Sequence, residues 1–352
     1  MTLHLMKGNE AVAAAAILGG CTHYFGYPIT PQSEVSEYMA REMPKKGRCF
    51  LQAESEIAAI NMVYGASGAG ARAMTSSSSP GIALKQEGIS YIAGAELPCL
   101  IVDMMRGGPG LGSIQPSQTD YFVATRGGGN GDYRTLTYAP ASVQEMVDLI
   151  YSAFDVAEKY RNPVLICGDG MLGQMMEPVD FDKYEEKSTP KREWASNGEH
   201  SKRGYNNCIN SLYLAAEELE EHNRHLMEKY AKMRQEEVRV EEYHLEDCEL
   251  VLSAFGTVSR ICKSAIHELE QKGHKVGLIR PITLWPFPDD SFRKIPEGVR
   301  DVLVVEMNQG QMIDDVRIAV DGRQKVHFYG RQGGMIPATE EIVDACLKIL
   351  EA

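Results

Sequence analysis

The hydrophobic pattern of residues 1–182 alternates between two kinds of segment. Short and almost uninterrupted apolar runs, such as 97–105 and 162–169, are typical of strands that are buried on both faces of a sheet. Between these runs, apolar residues recur at a helical spacing, most clearly over 141–160, where one side of the predicted helix is charged. Strands that alternate with helices of this length predict an α/β fold with a doubly wound parallel sheet.

The same criteria divide this first region into elements. The predicted helices cover residues 8–20, 31–43, 54–70, 80–96 and 141–160. The predicted strands cover residues 22–29, 49–53, 71–79, 97–105 and 162–169, and the third of them ends in a loop.

The rest of the chain falls into two further regions. Residues 183–246 are polar and highly charged, and residues 210–237 within them predict one long exposed helix with a thin apolar stripe. We interpret this second region as a connector, or as an arm that packs on a partner. His222 and His225 lie on that helix, where a solvated helix face is a simpler interpretation than a metal site. Residues 247–352 resume the alternation and predict a smaller doubly wound α/β domain.

Composition and charge limit the partners of this 352-residue chain. The formal net charge is -13 and the pI is about 5.3, so no nucleic-acid partner is expected, because a phosphate backbone requires a basic surface. The apolar run near the N-terminus is too short to span a bilayer and lacks the basic lead of a signal peptide. We therefore expect a cytoplasmic protein that does not associate with a membrane.

The cysteines are scattered singly along the chain. They are Cys21, Cys49, Cys99, Cys167, Cys208, Cys248, Cys262 and Cys346. Their spacing matches neither a zinc site, nor a redox dithiol, nor an iron–sulfur ligand set. We expect free and mostly buried thiols in a reducing compartment, and any iron–sulfur cluster should lie on another chain.

Polar residues that could carry chemistry follow several predicted strands. Thr30 sits in a turn made rigid by flanking prolines, where the strand's carboxyl end and a helix N-terminus meet. Pro31 is predicted to begin the next helix. Glu54 suits the start of a helix, where the dipole favours an acid, whereas Glu56 precedes apolar residues. A desolvated carboxyl there would have a raised proton affinity and suit acid–base work, but two solvated acids are also common at such a position.

Glycine-rich loops add further candidates. Arg106 begins one such loop after the predicted strand 97–105, where its guanidinium could bind a carboxylate through paired hydrogen bonds, or could simply be exposed. A second loop, 126–132, suggests mobility or a close approach of the backbone to a ligand. Residues 65–71 follow a helix and precede a strand, so they are interpreted as a helix end and not as a nucleotide-binding loop.

Taken in order, these segments resemble the pyrimidine-binding, alpha-type subunit of 2-oxoacid:ferredoxin oxidoreductases. The segments are YPITP (27–31), ESE (54–56), TSSSSPG (75–81) and MMRGGPG (104–110). The likeness covers nearly the whole chain, because IRPITLWPFP (279–288) and VVEMNQGQM (304–312) are similar to the transketolase C-terminal-type domain of those enzymes. RGGPGLGSIQPSQTDYF (106–122), RGGGNGDYR (126–134) and DGMLGQMMEPV (169–179) are most similar to the branched-chain type, which acts on 2-oxoisovalerate.

The resemblance implies a domain plan and roles for particular residues. Residues 1–182 would form the thiamine-diphosphate pyrimidine-binding domain, 183–246 the connector, and 247–352 the transketolase C-terminal-like domain. Glu56 matches the cofactor-activating glutamate, whose carboxyl hydrogen-bonds N1′ of the aminopyrimidine. Thr30 and Arg106 match residues that meet the carboxylate and oxo group of the substrate, and Thr30 also lies beside the cofactor.

The resemblance also implies a reaction and a set of partners. The reaction is the oxidative decarboxylation of a 2-oxoacid to acyl-coenzyme A, carbon dioxide and reduced ferredoxin. The implied partners are a diphosphate-binding thiamine subunit, a gamma-type subunit, a ferredoxin-like iron–sulfur subunit and an external ferredoxin. Mg²⁺ and the iron–sulfur clusters would be held by those partners, and this chain would hold the pyrimidine half of the cofactor.

One motif raises the alternative that this chain holds the metal itself. A Gly-Asp-Gly triplet after a strand marks the metal–diphosphate site of thiamine-diphosphate enzymes, and Gly168-Asp169-Gly170 has that position. The asparagine that usually completes the motif could be Asn197, but the charged, irregular segment before it makes the spacing a coincidence. We therefore predict no metal ligand in this chain and interpret Asp169 as a turn or helix-capping residue.

Three alternatives to the branched-chain complex remain at this point. The first is the pyruvate or 2-oxoglutarate version of the same complex. The second is a self-contained enzyme of the transketolase type, and the third is a structural subunit without catalytic function. The presence of Thr30, Glu56 and Arg106 together, each at a predicted strand end, argues against the third.

Overall fold

The computed structural model describes residues 3–199, 202 and 204–351. The strands before residue 181 are β1 (Leu3–Lys7), β2 (His23–Gly26), β3 (Cys49–Gln52), β4 (Ala73–Ser77), β5 (Cys99–Met105), β6 (Leu136–Tyr138), β7 (Pro163–Asp169) and β8 (Met176–Asp180). The helices of the same part are α1 (Gly8–Leu18), α2 (Ser33–Glu42), α3 (Glu56–Gly68), α4 (Ser79–Leu84), α5 (Gln86–Gly94), α6 (Tyr121–Arg126), α7 (Val143–Tyr160) and α8 (Gly170–Gln174).

The remaining elements continue in chain order. They are α9 (Ala216–Glu236), β9 (Val240–Tyr243), β10 (Leu250–Ser253), α10 (Val258–Gln271), β11 (Val276–Pro281), β12 (Thr283–Trp285), α11 (Asp289–Arg293), β13 (Asp301–Glu306), α12 (Met312–Val320), β14 (Lys325–Gly330) and α13 (Thr339–Leu350).

The first domain is built on a seven-stranded sheet in the order β12-β6-β7-β5-β4-β2-β3. All its pairings are parallel except that of β12 with β6. Two hydrophobic clusters cover its faces, one with α3 and α5 and the other with α1, α2 and α7. Because both faces are covered, every residue of β5 is buried. The predicted doubly wound parallel sheet is therefore confirmed.

The second sheet has five strands in the order β14-β13-β10-β11-β9, of which only β9 is antiparallel. The two sheets exchange edge strands, since β12 joins the first sheet from within the third region and β9 joins the second from the charged connector. Phe255, from the second sheet's side, packs against Tyr121 with ring centroids 5.6 Å apart. The core is thus continuous between the two sheets.

Helix α9 carries the thin apolar stripe that the sequence predicted, but it begins at Ala216, six residues later than expected. The stripe consists of Leu226, Tyr230 and Met233, which are buried against the chain's own first domain. The ring of Tyr230 meets Trp285 edge-on. The inner face of this arm is thus occupied within the chain itself.

Three further predicted helix starts or lengths were wrong, and for the first of them a hydrogen bond shows why. Helix α3 begins at Glu56, because the Ser55 hydroxyl caps it by accepting a hydrogen bond from the Ala58 N–H at 3.1 Å, so exposed Glu54 lies outside the helix. The second helix begins at Ser33 and not at Pro31. The single helix predicted over 80–96 is two helices, interrupted at Lys85.

Candidate functional site

The carboxyl ends of the central parallel strands bring Glu56, Thr30 and Arg106 to one edge of the first sheet. Thr30 follows β2, Glu56 follows β3 as the first residue of α3, and Arg106 follows β5. Strands β3, β2, β4 and β5 are consecutive in the sheet. Ligands bind at this edge in open parallel sheets, so all three predicted residues lie where a ligand is expected.

Glu56 is the buried acid of this edge, with 7% of its surface exposed. Its carboxyl lies against the first turn of α4, at Gly81. A Cβ atom built on Gly81 would lie 2.7 Å from Glu56 Oε1 and 2.0 Å from Ser77 Oγ. Only glycine at position 81 therefore leaves room for the Glu56 carboxyl in this position.

Arg106 is buried as well, with 6% exposure, and part of its hydrogen-bonding capacity is unused. Its Nη1 donates to the Thr30 carbonyl at 2.8 Å and its Nη2 donates to the Leu111 carbonyl at 3.1 Å. Its Nε has no acceptor among the described residues. A buried guanidinium with spare donors is suited to an anionic ligand.

Thr30 meets Arg106 through its backbone carbonyl, while its side chain is exposed. The turn at Thr30 is fastened on its far side, because the Pro31 carbonyl accepts hydrogen bonds from Asn9 Nδ2 at 2.6 Å and Gln174 Nε2 at 2.9 Å. The structure thus brings Thr30 and Arg106 into direct contact, with the threonine side chain facing outward.

The loop that follows β5, residues 106–120, is called the arginine loop below, and it is held in place by Ser79 and by the C-terminal domain. Ser79 Oγ accepts a hydrogen bond from the Arg106 N–H at 2.9 Å, and Gln118 Nε2 donates to the Phe255 carbonyl at 2.9 Å. Gln118 also exchanges backbone and side-chain hydrogen bonds with Met307, and Asn308 Nδ2 donates to the Gln118 carbonyl at 2.8 Å. The segment 304–312 therefore acts on this edge by fixing the loop that follows Arg106.

A cleft of about 520 Å³ opens between that loop and the C-terminal domain. It is lined by residues from α4, from positions 107–110 and 119–120 of the arginine loop, and from the segments after β13 and β14. They include Ser79, Gly107, Thr119, Asp120, Asn308 and Gln311.

Sequence reasoning missed a cluster of ionisable groups that is buried behind this edge. Lys85 is fully buried, and its Nζ donates to the Ser76 carbonyl at 3.1 Å. Burial lowers the pKa of Lys85 to about 7, although the nearby carboxyl groups of Glu56 and Asp103 act in the opposite direction and raise it. Asp103, at 1% exposure, and Asp120 both have raised pKa values, first because of burial. Asp103 lies within an apolar run of the sequence, where the isolated charge is the only signal, whereas Lys85 precedes Gln86 and Glu87 and resembles an ordinary polar helix residue.

Asp169 is occupied in a structural role. It caps α8, because its Oδ1 accepts hydrogen bonds from the N–H groups of Met171 and Leu172, both at 3.0 Å. Its Oδ2 accepts a hydrogen bond from the Thr257 hydroxyl, which ties the first sheet to the second domain. Burial raises the pKa of Asp169. Both carboxyl oxygens are thus engaged within the chain, as expected for a helix-capping residue.

The other proposed metal positions lie apart from this site. Asn197 is exposed, and its side chain donates to Glu199, whereas Asp169 is buried. His222 bonds to the Gly94 carbonyl and His225 to Glu96. Within the residues that the structure describes, no group of three or more His, Cys, Asp or Glu side chains could hold a metal ion.

The second glycine-rich loop has a packing explanation. Cβ atoms on Gly128 and Gly129 would lie 2.8 Å from Gln86 Cγ and 2.5 Å from the Gln86 carbonyl. The Gly128 N–H donates to Gln86 Oε1 at 2.9 Å. The sequence predicted mobility or a close approach to a ligand, but the close approach in the structure is to helix α5 of the chain itself. The helix end predicted at 65–71 is confirmed, since α3 ends at Gly68 and Gly70 has a φ of 93°.

Two further expectations concern the chain as a whole. All eight cysteines are free, and five of them are buried, as predicted. Over the described parts of the chain, no helix combines the length and the apolar character needed to cross a membrane.

Two family profiles of known proteins match the sequence of this chain. The sequence profile of the pyruvate flavodoxin/ferredoxin oxidoreductase thiamine-diphosphate-binding domain matches residues 14–244. The profile of pyruvate:ferredoxin oxidoreductase core domain II matches residues 248–342.

Relatives of known name resemble the chain over nearly its whole length. Ketoisovalerate oxidoreductase subunit VorB of Methanothermobacter marburgensis is 51% identical over 97% of each chain. The 2-oxoglutarate synthase subunit KorA of Methanocaldococcus jannaschii is 38% identical over 99% of this chain and 100% of its own.

Solved structures show the same architecture. The 2-oxoglutarate:ferredoxin oxidoreductase from Magnetococcus marinus, solved with 2-oxoglutarate, coenzyme A and succinyl-CoA bound, superposes with a TM-score of 0.86 at 27% identity, over 99% of this chain and 65% of that one. A split-gene transketolase, at 14% identity and a TM-score of 0.61, shares the fold. The chain therefore belongs to the pyruvate flavodoxin/ferredoxin oxidoreductase family of thiamine-diphosphate-binding oxidoreductases.

Proposed function

We propose that this chain is the pyrimidine-binding subunit of a multi-subunit 2-oxoacid:ferredoxin oxidoreductase whose substrate is 2-oxoisovalerate. The observation that carries the proposal is the buried Glu56 carboxyl, seated against Gly81 at the strand ends. The choice of substrate is supported by two ketoisovalerate oxidoreductase subunits at 51% and 49% identity, compared with 38% for a 2-oxoglutarate synthase subunit.

The residues at this edge fit the aminopyrimidine half of thiamine diphosphate. Glu56 offers a buried carboxyl that can share a proton with a ring nitrogen, and Gly81 has no Cβ atom that would displace this carboxyl. The hydroxyls of Ser77 and Ser78 are buried and have no partner among the described residues. When bound, thiamine diphosphate supplies the nucleophilic carbon and the electron sink that decarboxylation of a 2-oxoacid needs.

The chain's own residues then have separate tasks. The Glu56 carboxyl would exchange a proton with a ring nitrogen of the bound cofactor. Arg106 binds the carboxylate of the 2-oxoacid through the donors that Thr30 and Leu111 leave free. Residues 107–110 line the cleft, and the same loop is joined to the C-terminal domain at Gln118, so it would limit the access of water to that carboxylate.

A partner subunit would complete the site by holding the diphosphate and its metal. The exposed edge around Glu56 has the apolar character of a contact surface. Large apolar side chains that are exposed there are Tyr27, Leu51, Ile57, Leu84, Leu111 and Ile114. Leu111, with 85% exposure, stands on the arginine loop itself. A gamma-type subunit would be a further partner, and a ferredoxin-like iron–sulfur subunit and external ferredoxin would carry the electrons away. The free cysteines suit the reducing cytoplasm.

The substrate proposal is tested on the native complex purified from its host. Coenzyme A-dependent reduction of an electron acceptor is measured with 2-oxoisovalerate, pyruvate and 2-oxoglutarate. The highest kcat/KM is expected for 2-oxoisovalerate, and a preference for either other acid would overturn the substrate assignment. The isolated chain should be inactive and regain activity only when mixed with its partners; activity of the chain alone would instead favour a self-contained enzyme.

A further inference from the structure

Asp103 and Asp120 lie behind the cleft, and the contact between their carboxyl groups requires a shared proton. Their carboxyl groups are in hydrogen-bond contact. Neither oxygen of Asp103 receives a hydrogen bond from an N–H or hydroxyl group of the described residues. Two ionised carboxylates have no hydrogen between them, so this contact is a hydrogen bond only when one of them is protonated.

The position of the pair in the sheet places it beside Glu56. Asp103 of β5 is the register partner of Ser77 on β4, whose hydroxyl lies next to the Glu56 carboxyl at Gly81. Neighbouring strands are about 4.8 Å apart, and Asp103 points to the same side of the sheet as α3, as its alternation with Ile101 and Met105 shows. The pair and Glu56 therefore lie in one buried layer.

Asp120 connects this layer to the cleft. It is one of the residues that line the cleft, together with Ser79 and Gly107, and its Oδ2 accepts a hydrogen bond from the Ser79 hydroxyl. Asp103 has 1% exposure and cannot reach the cleft itself. A proton held between the two can thus reach the cleft through Asp120.

We propose that Asp120, sharing one proton with Asp103, is a second acid–base residue of this site and presents that proton to an oxygen of the bound 2-oxoacid. The assignment deepens the proposed function and rests on it for the identity of the ligand. In the transfer, the O–H bond of the carboxyl breaks and an O–H bond forms on a substrate oxygen that gains negative charge. The reverse transfer restores the shared proton. Asp103 acts through Asp120 and is a positioning residue.

The charged and titratable groups around the pair suit this role. Lys85, between α4 and α5, attracts Asp103 and also Glu56, so its ammonium offsets the negative charge that the pair gains. Cys167 of β7 is the other register neighbour of Asp103, and burial, reinforced by both aspartates, raises the pKa of its thiol, so it stays neutral. Burial and a neighbouring carboxyl both raise the pKa of Asp103.

The shared proton is measurable without substrate or thiamine diphosphate. Infrared spectra of the complex with isotope-labelled aspartate should show a protonated carboxyl at pH 6, where ordinary aspartates are ionised. In Asp103→Asn, the new side-chain amide can donate a hydrogen bond to the Asp120 carboxylate. The pH at the midpoint of the carboxyl titration should therefore fall by about one to three units. In Ser79→Ala, which removes a donor to Asp120, the midpoint should rise. Asp344→Asn, on the exposed side of α13, is the matched control and should leave the spectrum unchanged.

Turnover gives the second readout. The wild-type rate should fall at high pH as the pair loses its proton, and this limb should move to lower pH in Asp103→Asn by the same shift as the infrared midpoint. An infrared midpoint that is the same in wild type and Asp103→Asn would overturn the proposal, as would a wild-type spectrum without a protonated carboxyl at pH 6. Neither result would affect the role of Glu56, which is tested separately.

Discussion

Replacing Gly81 with alanine adds a single methyl group and tests the position of the Glu56 carboxyl, which we propose is catalytic. The new Cβ would lie 2.7 Å from Glu56 Oε1, whereas ordinary van der Waals contacts of a Cβ begin near 3.4 Å. The Glu56 carboxyl must therefore retreat by about 0.7 Å, and Ser77 Oγ, at 2.0 Å, must move further. Because a misplacement of roughly 1 Å can cost 100-fold in rate, we expect turnover to fall about 10- to 100-fold.

The assay is coenzyme A-dependent reduction of an electron acceptor by the assembled complex, with complex assembly checked by size. Gly65→Ala is the matched control, because Gly65 lies inside α3 and a Cβ there meets nothing within 4 Å. This control should keep its activity, and alanine in a helix interior should stabilise it by up to about 1 kcal/mol. Wild-type turnover in an assembled Gly81→Ala complex would refute the placement of Glu56.

Two further substitutions separate binding from structure. Arg106→Ala removes a charge-assisted contact worth about 1.5–3 kcal/mol, so KM for the 2-oxoacid should rise about 10- to 100-fold. Arg106→Lys should recover only part of the loss, because lysine lacks the planar guanidinium group. An unchanged KM and kcat in Arg106→Ala would show that Arg106 does not bind the substrate. Asp169→Ala removes the cap of α8 and the bond to Thr257, and should cost about 0.5–2 kcal/mol of stability from the cap alone. It should leave metal and thiamine diphosphate content, measured in the assembled complex, unchanged; loss of both from a folded complex would restore Asp169 as a metal ligand.

The alternation of strands and helices predicted the fold because both faces of the central sheet are covered. Strands such as β5 and β7 are continuous apolar runs, and these are the segments that hydrophobic pattern detects most reliably. The elements it missed have other origins. The pattern did not predict strands β6 and β12, which have only three residues each. Strand β12 lies in the third region and pairs with β6, and a local pattern cannot predict such a long-range contact.

The candidate site was predictable where a residue stands at the end of a strand. Glu56, Thr30 and Arg106 were identified from that position and from the family resemblance. Lys85 and Asp103 were not, because their significance comes from the groups that are packed around them. Asp120 resembles an ordinary loop aspartate until the fold brings it against Asp103.

The link between the two domains was also invisible in the sequence. The segment 304–312 was recognised only as a family mark, and the structure shows that Met307 and Asn308 hold the arginine loop through Gln118. The C-terminal domain thus fixes the loop that follows Arg106, although Glu56, Thr30 and Arg106 all belong to the first domain. Sequence periodicity cannot supply such contacts, because the partners are about 190 positions apart.

The most direct test of the central claim, that this chain activates thiamine diphosphate through Glu56, follows the proton on C2 of the bound cofactor. In the reconstituted complex, exchange of that proton with deuterium is measured by quenched flow and NMR for wild type and Glu56→Gln. We predict that Glu56→Gln binds the cofactor in the same amount and slows exchange by roughly 100- to 10,000-fold, the usual contribution of a positioned acid–base group. Exchange at the wild-type rate in a fully loaded Glu56→Gln complex would contradict the account.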